Sequence, residues 1–222
     1  MGEHIELVPV KTRILTHKDD IVEVIQHYAK EQLGLGPDDV VSVAESVVAI
    51  TQGRAVRPED LKPSFWAKLL SRLFPQEGSI ASWHGMQALI NAEGTPRVLF
   101  AVVVGFIGKI FGQRGVFYRL AGEQARLIDD VTGTMPPYDK YIVYGPHDPN
   151  GVAEAITKAT GCFGAAVADV NDLKRAAVLG VSKGVDPKVL EKMLIDNPFG
   201  NASQKTPIVI IRNYAKAMNH KA

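Results

Sequence analysis

The longest apolar run in the chain, Val98 to Ile110 (VLFAVVVGFIGKI), constrains the fold more than any other stretch. It falls well short of the roughly 20 consecutive apolar residues that a membrane-spanning helix needs, and Lys109 interrupts it. It therefore has to be covered by protein, and we read it as a buried strand. Arg97 to Val104 and Gly115 to Leu120 then form two strands around a glycine-rich connection, part of a β-rich layer.

The chain has 222 residues. At roughly 150 residues per domain, that allows one large domain or two intimately joined lobes. With 46% hydrophobic and 22% charged residues it reads as a folded globular protein rather than a disordered or polytopic one. Twenty-five Lys and Arg stand against 24 Asp and Glu, so the strong basic field of a non-specific nucleic-acid binder is missing and nucleic acid is not expected as a partner. The single cysteine, Cys162, excludes a disulfide framework and a zinc cluster of several thiolates. The start, MGEHIELVPVKTRIL, lacks the basic and apolar regions of a secretory signal, and Glu6 stands where myristoylation wants Ser or Thr. The expectation is a cytoplasmic protein without membrane association.

Local patterns give a mixed fold. Ile5 to Val10 is a short strand, and Asp19 to Leu33 carries Ile21, Val24, Ile25 and Tyr28 at helical spacing. Val40 to Ile50 reads as one largely buried strand with polar Glu45 and Ser46 inside it. Pro58 to Phe74 and Ile80 to Ala92 form a helical insert, in which Trp66 and Trp83 are assigned to core packing. Further on come a helix after GPHDPNG, the strand Phe163 to Ala168, a helix from Asp186, and a last strand over Ile208 to Ile211. Strand and helix alternate irregularly throughout, which makes this an α+β chain with mixed sheets and packed helices, one domain over residues 1–222.

Few residues stand out chemically. Asp129, Asp130 and Asp169 follow apolar pieces, and Asn201 lies in a glycine-flanked loop. Oxygen donors of this kind suit a hard cation carrying nucleotide phosphates, although Asp at a strand end is also ordinary turn chemistry. The run GFIGKIFGQRG (Gly105 to Gly115) fails the P-loop pattern, because Ile110 follows Lys109 where Ser or Thr belongs. We read it as a bend between strands. Cys162 has no basic neighbour to lower its pKa and is read as a structural thiol. The six histidines make no pair at metal-binding spacing.

Four segments in order carry a family likeness: TRILTHKDDIVEVI (Thr12 to Ile25), DDVVSVAESVVAITQGR (Asp38 to Arg54), LIDD through GPHDPNG to AVADVNDLKR, and NPFGNASQKTPIVIIR (Asn197 to Arg212). Together they resemble the coenzyme F-420 gamma-glutamyl ligase family. The resemblance implies a ligase that uses GTP and Mg2+ or Mn2+ to join glutamate, or a related amino acid, to a carboxylate-bearing coenzyme acceptor. It implies nucleotide contacts at Thr12, Arg13, Ile14, Leu15, Glu45 and Ser46, metal ligands at Asp129, Asp169 and Asn201, and a homodimer. The apolar run from Val98 is read as its contact surface. Ile50 stands where the family has a lysine, Gln52 where it has a glutamate, and Val170 where it has a threonine. Those departures support a second reading, a non-catalytic member that binds nucleotide or another ligand on the same fold.

Overall fold

The computed structural model describes residues 4–75, 78–130, 136–200 and 204–219. The chain divides into two units, Met1–Gly53 with Pro146–Ala222, and Arg54–Gly145. In sequence, the second interrupts the first.

The first unit opens with β1 (Glu6–Val10). The Asp20 carboxylate then accepts the N–H groups of Val22 and Glu23 at 2.7 and 3.2 Å, satisfying donors that a helix start leaves open. Helix α1 (Ile21–Ile25) follows and widens into a π-helical stretch over Gln26–Glu31, burying Ile21, Val24, Ile25 and Ala29. β2 (Val40–Ala44) comes next and passes directly into α2 (Glu45–Thr51). This corrects the single strand expected across Val40 to Ile50. An unbroken apolar run has no period, so the change of element at Glu45 leaves no mark in the pattern.

The second unit begins with β3 (Ala55–Val56) and continues through α3 (Phe65–Leu70), α4 (Trp83–Glu93), α5 (Thr95–Ile110), α6 (Val116–Leu120) and α7 (Gln124–Leu127) to β4 (Asp129–Asp130) and β5 (Ile142–Val143). Ser64 caps α3 and Ser82 caps α4. The three short strands pair antiparallel in the order β3-β5-β4. The helices gather around Met86, Leu89, Val98, Ala101, Phe117 and Ile128.

The stretch expected as two strands is therefore helix. Gly105 and Gly108 are its explanation: a Cβ on Gly105 would stand 3.0 Å from that of Phe117, and one on Gly108 would stand 2.8 Å from a Val116 methyl. They let α6 press against α5, while the actual bend is made by Gly112 and Gly115, both at positive φ. Trp66 and Trp83, expected in the core, are 41% and 47% exposed. Among the described residues no single helix is long and apolar enough to cross a membrane. The α4–α5 pair reaches the required length only with a 113° bend between its members.

Back in the first unit, α8 (Pro149–Thr160) leads to the hairpin of β6 (Gly164–Asn171) and β7 (Arg175–Val181), then α9 (Pro187–Leu194), β8 (Ile208–Arg212) and α10 (Tyr214–Asn219). β7 and α10 had no counterpart in the sequence reading. The sheet order is β1-β8-β2-β6-β7, with β2 and β6 parallel and the other pairs antiparallel. One face carries Val41, Val43, Ala165, Val167 and Ile210 against Ile25 and Ile156. The other carries Val40, Ala166, Ala168, Val209 and Ile211 against Leu190, Leu194 and Tyr214. Helices thus cover both faces, which is why these strands are apolar at successive positions instead of alternating. The architecture is α+β, a mixed sheet with packed helices.

At the start of β2, Asp39 is almost fully buried and receives Arg212 Nη1 at 2.6 Å, with further hydrogen bonds from the N–H groups of Gly36 at 2.8 Å and Asn213 at 3.0 Å. Burial alone would raise its pKa, but these donors hold the carboxyl below its ordinary value. Ser42, in the middle of the same strand, is fully buried, and its hydroxyl finds no hydrogen-bond partner among the described residues.

Candidate functional site

Strand register brings most of the singled-out segments to one end of the first unit's sheet. In the parallel pair, Ala44 of β2 stands opposite Ala168 of β6. The next residues, Glu45 and Asp169, therefore leave the pair at the same end, with Ser46 one step further along α2. That is the carboxyl end of parallel strands, where ligands of open α/β sheets bind. The antiparallel strands arrive there too, since Val43 pairs with Ile208 and Val10 pairs with Ile208 from the other side.

Two backbone hydrogen bonds tie the loops to this end. Ala44 N–H donates to Pro207 O at 2.8 Å, and Thr12 N–H donates to Lys205 O at 2.9 Å. The loop that follows β1 and the loop that precedes β8 are thereby joined. A third link ties the latter loop to the β6–β7 turn, where the Asn197 amide donates to Asp172 Oδ1 at 2.5 Å. Thr12, Glu45, Ser46, Asp169 and Lys205 are in this way assembled at one edge from four separate stretches of sequence.

Within the Thr12–Leu15 loop the side chains have different surroundings. Thr12 and Leu15 are buried, Leu15 in the core beneath the sheet, whereas Ile14 is 37% exposed. Arg13 is engaged by Asp19, which also accepts Thr16 N–H at 2.7 Å. The Arg13 guanidinium and these hydrogen bonds lower the Asp19 pKa to about 2. Arg13 is thus committed within the loop, and Lys205, exposed and held at φ 56°, is a further cation at this edge, as is the exposed Lys11 directly after β1. Sequence reading missed Lys205 because a lone lysine in NASQKTP has no pattern to mark it.

Asp169 lies inside β6, opposite Ala177, and not beyond the strand end as expected. Its surface is open to solvent, yet protein packed around it pushes its carboxyl pKa upward by desolvation. No cation partners it among the described residues. A divalent cation there would supply the missing positive charge, and oxygen donors are what a hard cation takes. Asp129 belongs to the second unit, where its backbone pairs opposite Val143. Asn201 lies outside the described residues. Among the described residues, no three His, Cys, Asp or Glu side chains gather as a ready-made metal site.

Other singled-out residues turn out to be structural. Gln52 donates to His147 O at 2.9 Å and accepts His147 N–H at 2.7 Å, pinning the end of α2 to the loop before α8. Asp148, in the left-handed region at φ 44°, caps α8 through Gly151 N–H at 3.0 Å. Ile50, where a lysine was sought, is 4% exposed, so a lysine at that position would be a buried charge. Cys162 is buried, its thiol donating to Gly164 O at 3.2 Å, and burial pushes its pKa up, as befits an inert thiol. In the second unit, a groove of about 510 Å3 lined by Ser79, Tyr118, Arg119 and Arg126 contains none of the residues expected to touch nucleotide or metal.

No curated protein gives a match to this chain. A family comparison does: residues 9–198, which take in three of the four resembling segments in full, match the F420-0:gamma-glutamyl ligase model, and the chain belongs to that family.

Proposed function

We propose that this protein is an amide-bond-forming ligase that adds glutamate, or a related amino acid, to a carboxylate-bearing coenzyme acceptor with GTP and Mg2+ or Mn2+ at the carboxyl end of the β2–β6 pair. The observation that carries the reading is that Glu45 and Asp169 stand at the same end of the parallel β2–β6 pairing, beside the loops of Thr12 and Lys205. Asp169 holds the divalent cation in this reading. When bound, that cation neutralises phosphate oxygens and fixes their position. Lys205 supplies positive charge to the nucleotide in place of the family lysine that Ile50 replaces. Glu45 and Ser46, at the first turn of α2, face the same edge and orient the nucleotide. The chain's own contribution is to position groups and to balance charge.

Calorimetry with MnCl2 and GTP, paired with mass spectrometry of F420-0 incubated with glutamate, tests the proposal. Asp169 is open to solvent, so Asp169→Asn keeps the fold and is expected to weaken metal-dependent GTP binding about tenfold or more. Unchanged binding in that variant removes the site. The buried Ile50 favours a second reading, a member that binds nucleotide without turning over. GTP binding without glutamate addition selects it. The homodimer is part of the same proposal, with its contact no longer assigned to the apolar run from Val98, and a single species at the monomer mass of 24.1 kDa in sedimentation removes it.

A further inference from the structure

The outward faces of α3 and α5 take no part in the ligase reading, and they are strongly apolar. On α5, Phe100, Val103, Phe106 and Ile110 recur at helical spacing, and Phe111 follows, with exposures from 58% to 78%. On α3 and the turn after it, Phe65, Trp66, Leu69 and Leu73 do the same, between 41% and 71% exposed. The two stripes are linked underneath. Phe74, next to Leu73, packs on Phe117 with ring centroids 4.6 Å apart, and Phe117 lies against Gly105 of α5. Contiguous apolar area of this extent on a folded protein marks an interaction surface.

Charge decides what covers it. The unit Arg54–Gly145 holds 11 Lys and Arg against eight Asp and Glu, and its stretch 61–126, which carries both stripes, holds eight against three. Lys68, Arg72, Lys109, Arg114 and Arg119 are exposed, and Lys68 Nζ stands 5.5 Å from the centre of the Trp83 ring. Of the acids, Glu93 is already engaged by Arg97 at 2.7 Å. A second copy meeting this face about a twofold axis would set cation against cation. An anionic lipid surface takes both features together, its phosphates meeting the Lys and Arg side chains while Phe and Trp enter the headgroup boundary. The 16 residues of α5 span roughly 24 Å, short of a bilayer core by themselves, and the chain turns by 113° between α4 and α5. The geometry fits a helix lying in the plane of the surface.

We propose that the helical unit docks on anionic phospholipid membranes through the outward faces of α3 and α5. The test is flotation of the full chain with vesicles of phosphatidylcholine alone or mixed with phosphatidylglycerol. The chain is expected to float with the mixed vesicles and more weakly with the neutral ones. The double variant Phe106→Ser with Phe111→Ser should lower binding about tenfold or more, and Lys109→Glu with Arg114→Glu should lower it on anionic vesicles selectively. All four side chains are exposed, so circular dichroism should be unchanged in both variants. Failure to float with either vesicle overturns the proposal. So does a wild-type dimer that Phe106→Ser with Phe111→Ser converts to monomer, since that assigns the face to a second copy of this chain.

Discussion

The sheet of the first unit and helix α5 of the second are made from the same kinds of side chain but end up in opposite environments. Val40, Val43, Ile208, Ile210 and Ile211 are fully buried, whereas Val103, Ile107 and Ile110 are 58%, 47% and 67% exposed. The sheet has α1 and α8 on one face and α9 and α10 on the other. Helix α5 has α4 and α6 on its inner side, and its outer stripe stays bare. Hydrophobicity says that a segment seeks cover, and only a second layer of structure supplies it. An apolar run is therefore a statement about demand, and the surplus left on α5 is the kind of surface that binds a partner.

The sharpest way to break this contrast uses one residue type in both places. Ile210→Ala is expected to cost about 3–4 kcal/mol in urea unfolding, since it opens a cavity between strand and helix. Ile110→Ala should fall within about 0.5 kcal/mol of wild type. Comparable losses from the two would mean that the outer face of α5 is covered after all.

Ion pairs extend the comparison to charged groups. Arg212→Met leaves the Asp39 carboxylate buried without its counter-charge and should destabilise by about 3 kcal/mol. Arg97→Met removes a half-exposed i,i+4 partner of Glu93 on the helical unit, together with its bond to Leu120 O, and should cost about 1 kcal/mol. If the first loss proved as small as the second, the charged end of β2 would have to be as wet as the surface of α5.

A pH titration tests the loop of the first unit. The folded pKa of Asp19, about 2, lies below its ordinary value of 3.8, so the group favours the folded state above roughly pH 4. That contribution is lost as pH falls through 2, because the unfolded chain takes up the proton first. Acid unfolding followed by fluorescence should thus show a smaller drop between pH 4 and pH 2 in Asp19→Asn than in wild type. An unchanged drop would show that Arg13 is not held by Asp19 and is free for another anion.

The smallest expected effect is a gain. Ser42→Ala removes a hydroxyl that is buried without a partner among the described residues, and should stabilise the chain by about 1 kcal/mol. A loss of that size would reveal a polar partner for Ser42 inside the sheet.

Much of the first unit was legible. The helix from Asp186, β1, β8 and the helix after GPHDPNG fall where expected, and Asp20 and Asp186 cap their helices. These signals are local: a side-chain oxygen meets a backbone N–H two or three residues ahead. Val98 to Ile110 is helix where a strand was expected, and its length is the reason. Strands usually run 4–8 residues, and an apolar run longer than that belongs to a helix. The paired Gly105 and Gly108 were a further signal, one turn apart and small enough for close helix contact.

For the site, residue types could be named from sequence while their assembly could not. Oxygen donors at Glu45 and Asp169, a polar loop at Thr12 and membership of the ligase family were all present in the linear chain. That Glu45 and Asp169 stand at one end of the parallel pairing depends on the match of Ala44 with Ala168, and that Lys205 joins them depends on its carbonyl receiving Thr12 N–H. Such registers are set by long-range packing between stretches more than a hundred residues apart, and no local propensity encodes them. Sequence alone settled the material of this protein, its α+β class and its caps, because these follow from side-chain chemistry within a few residues. Which apolar runs became covered strands and which became a half-bare helix was decided only in the tertiary structure, where layers compete for the same surface.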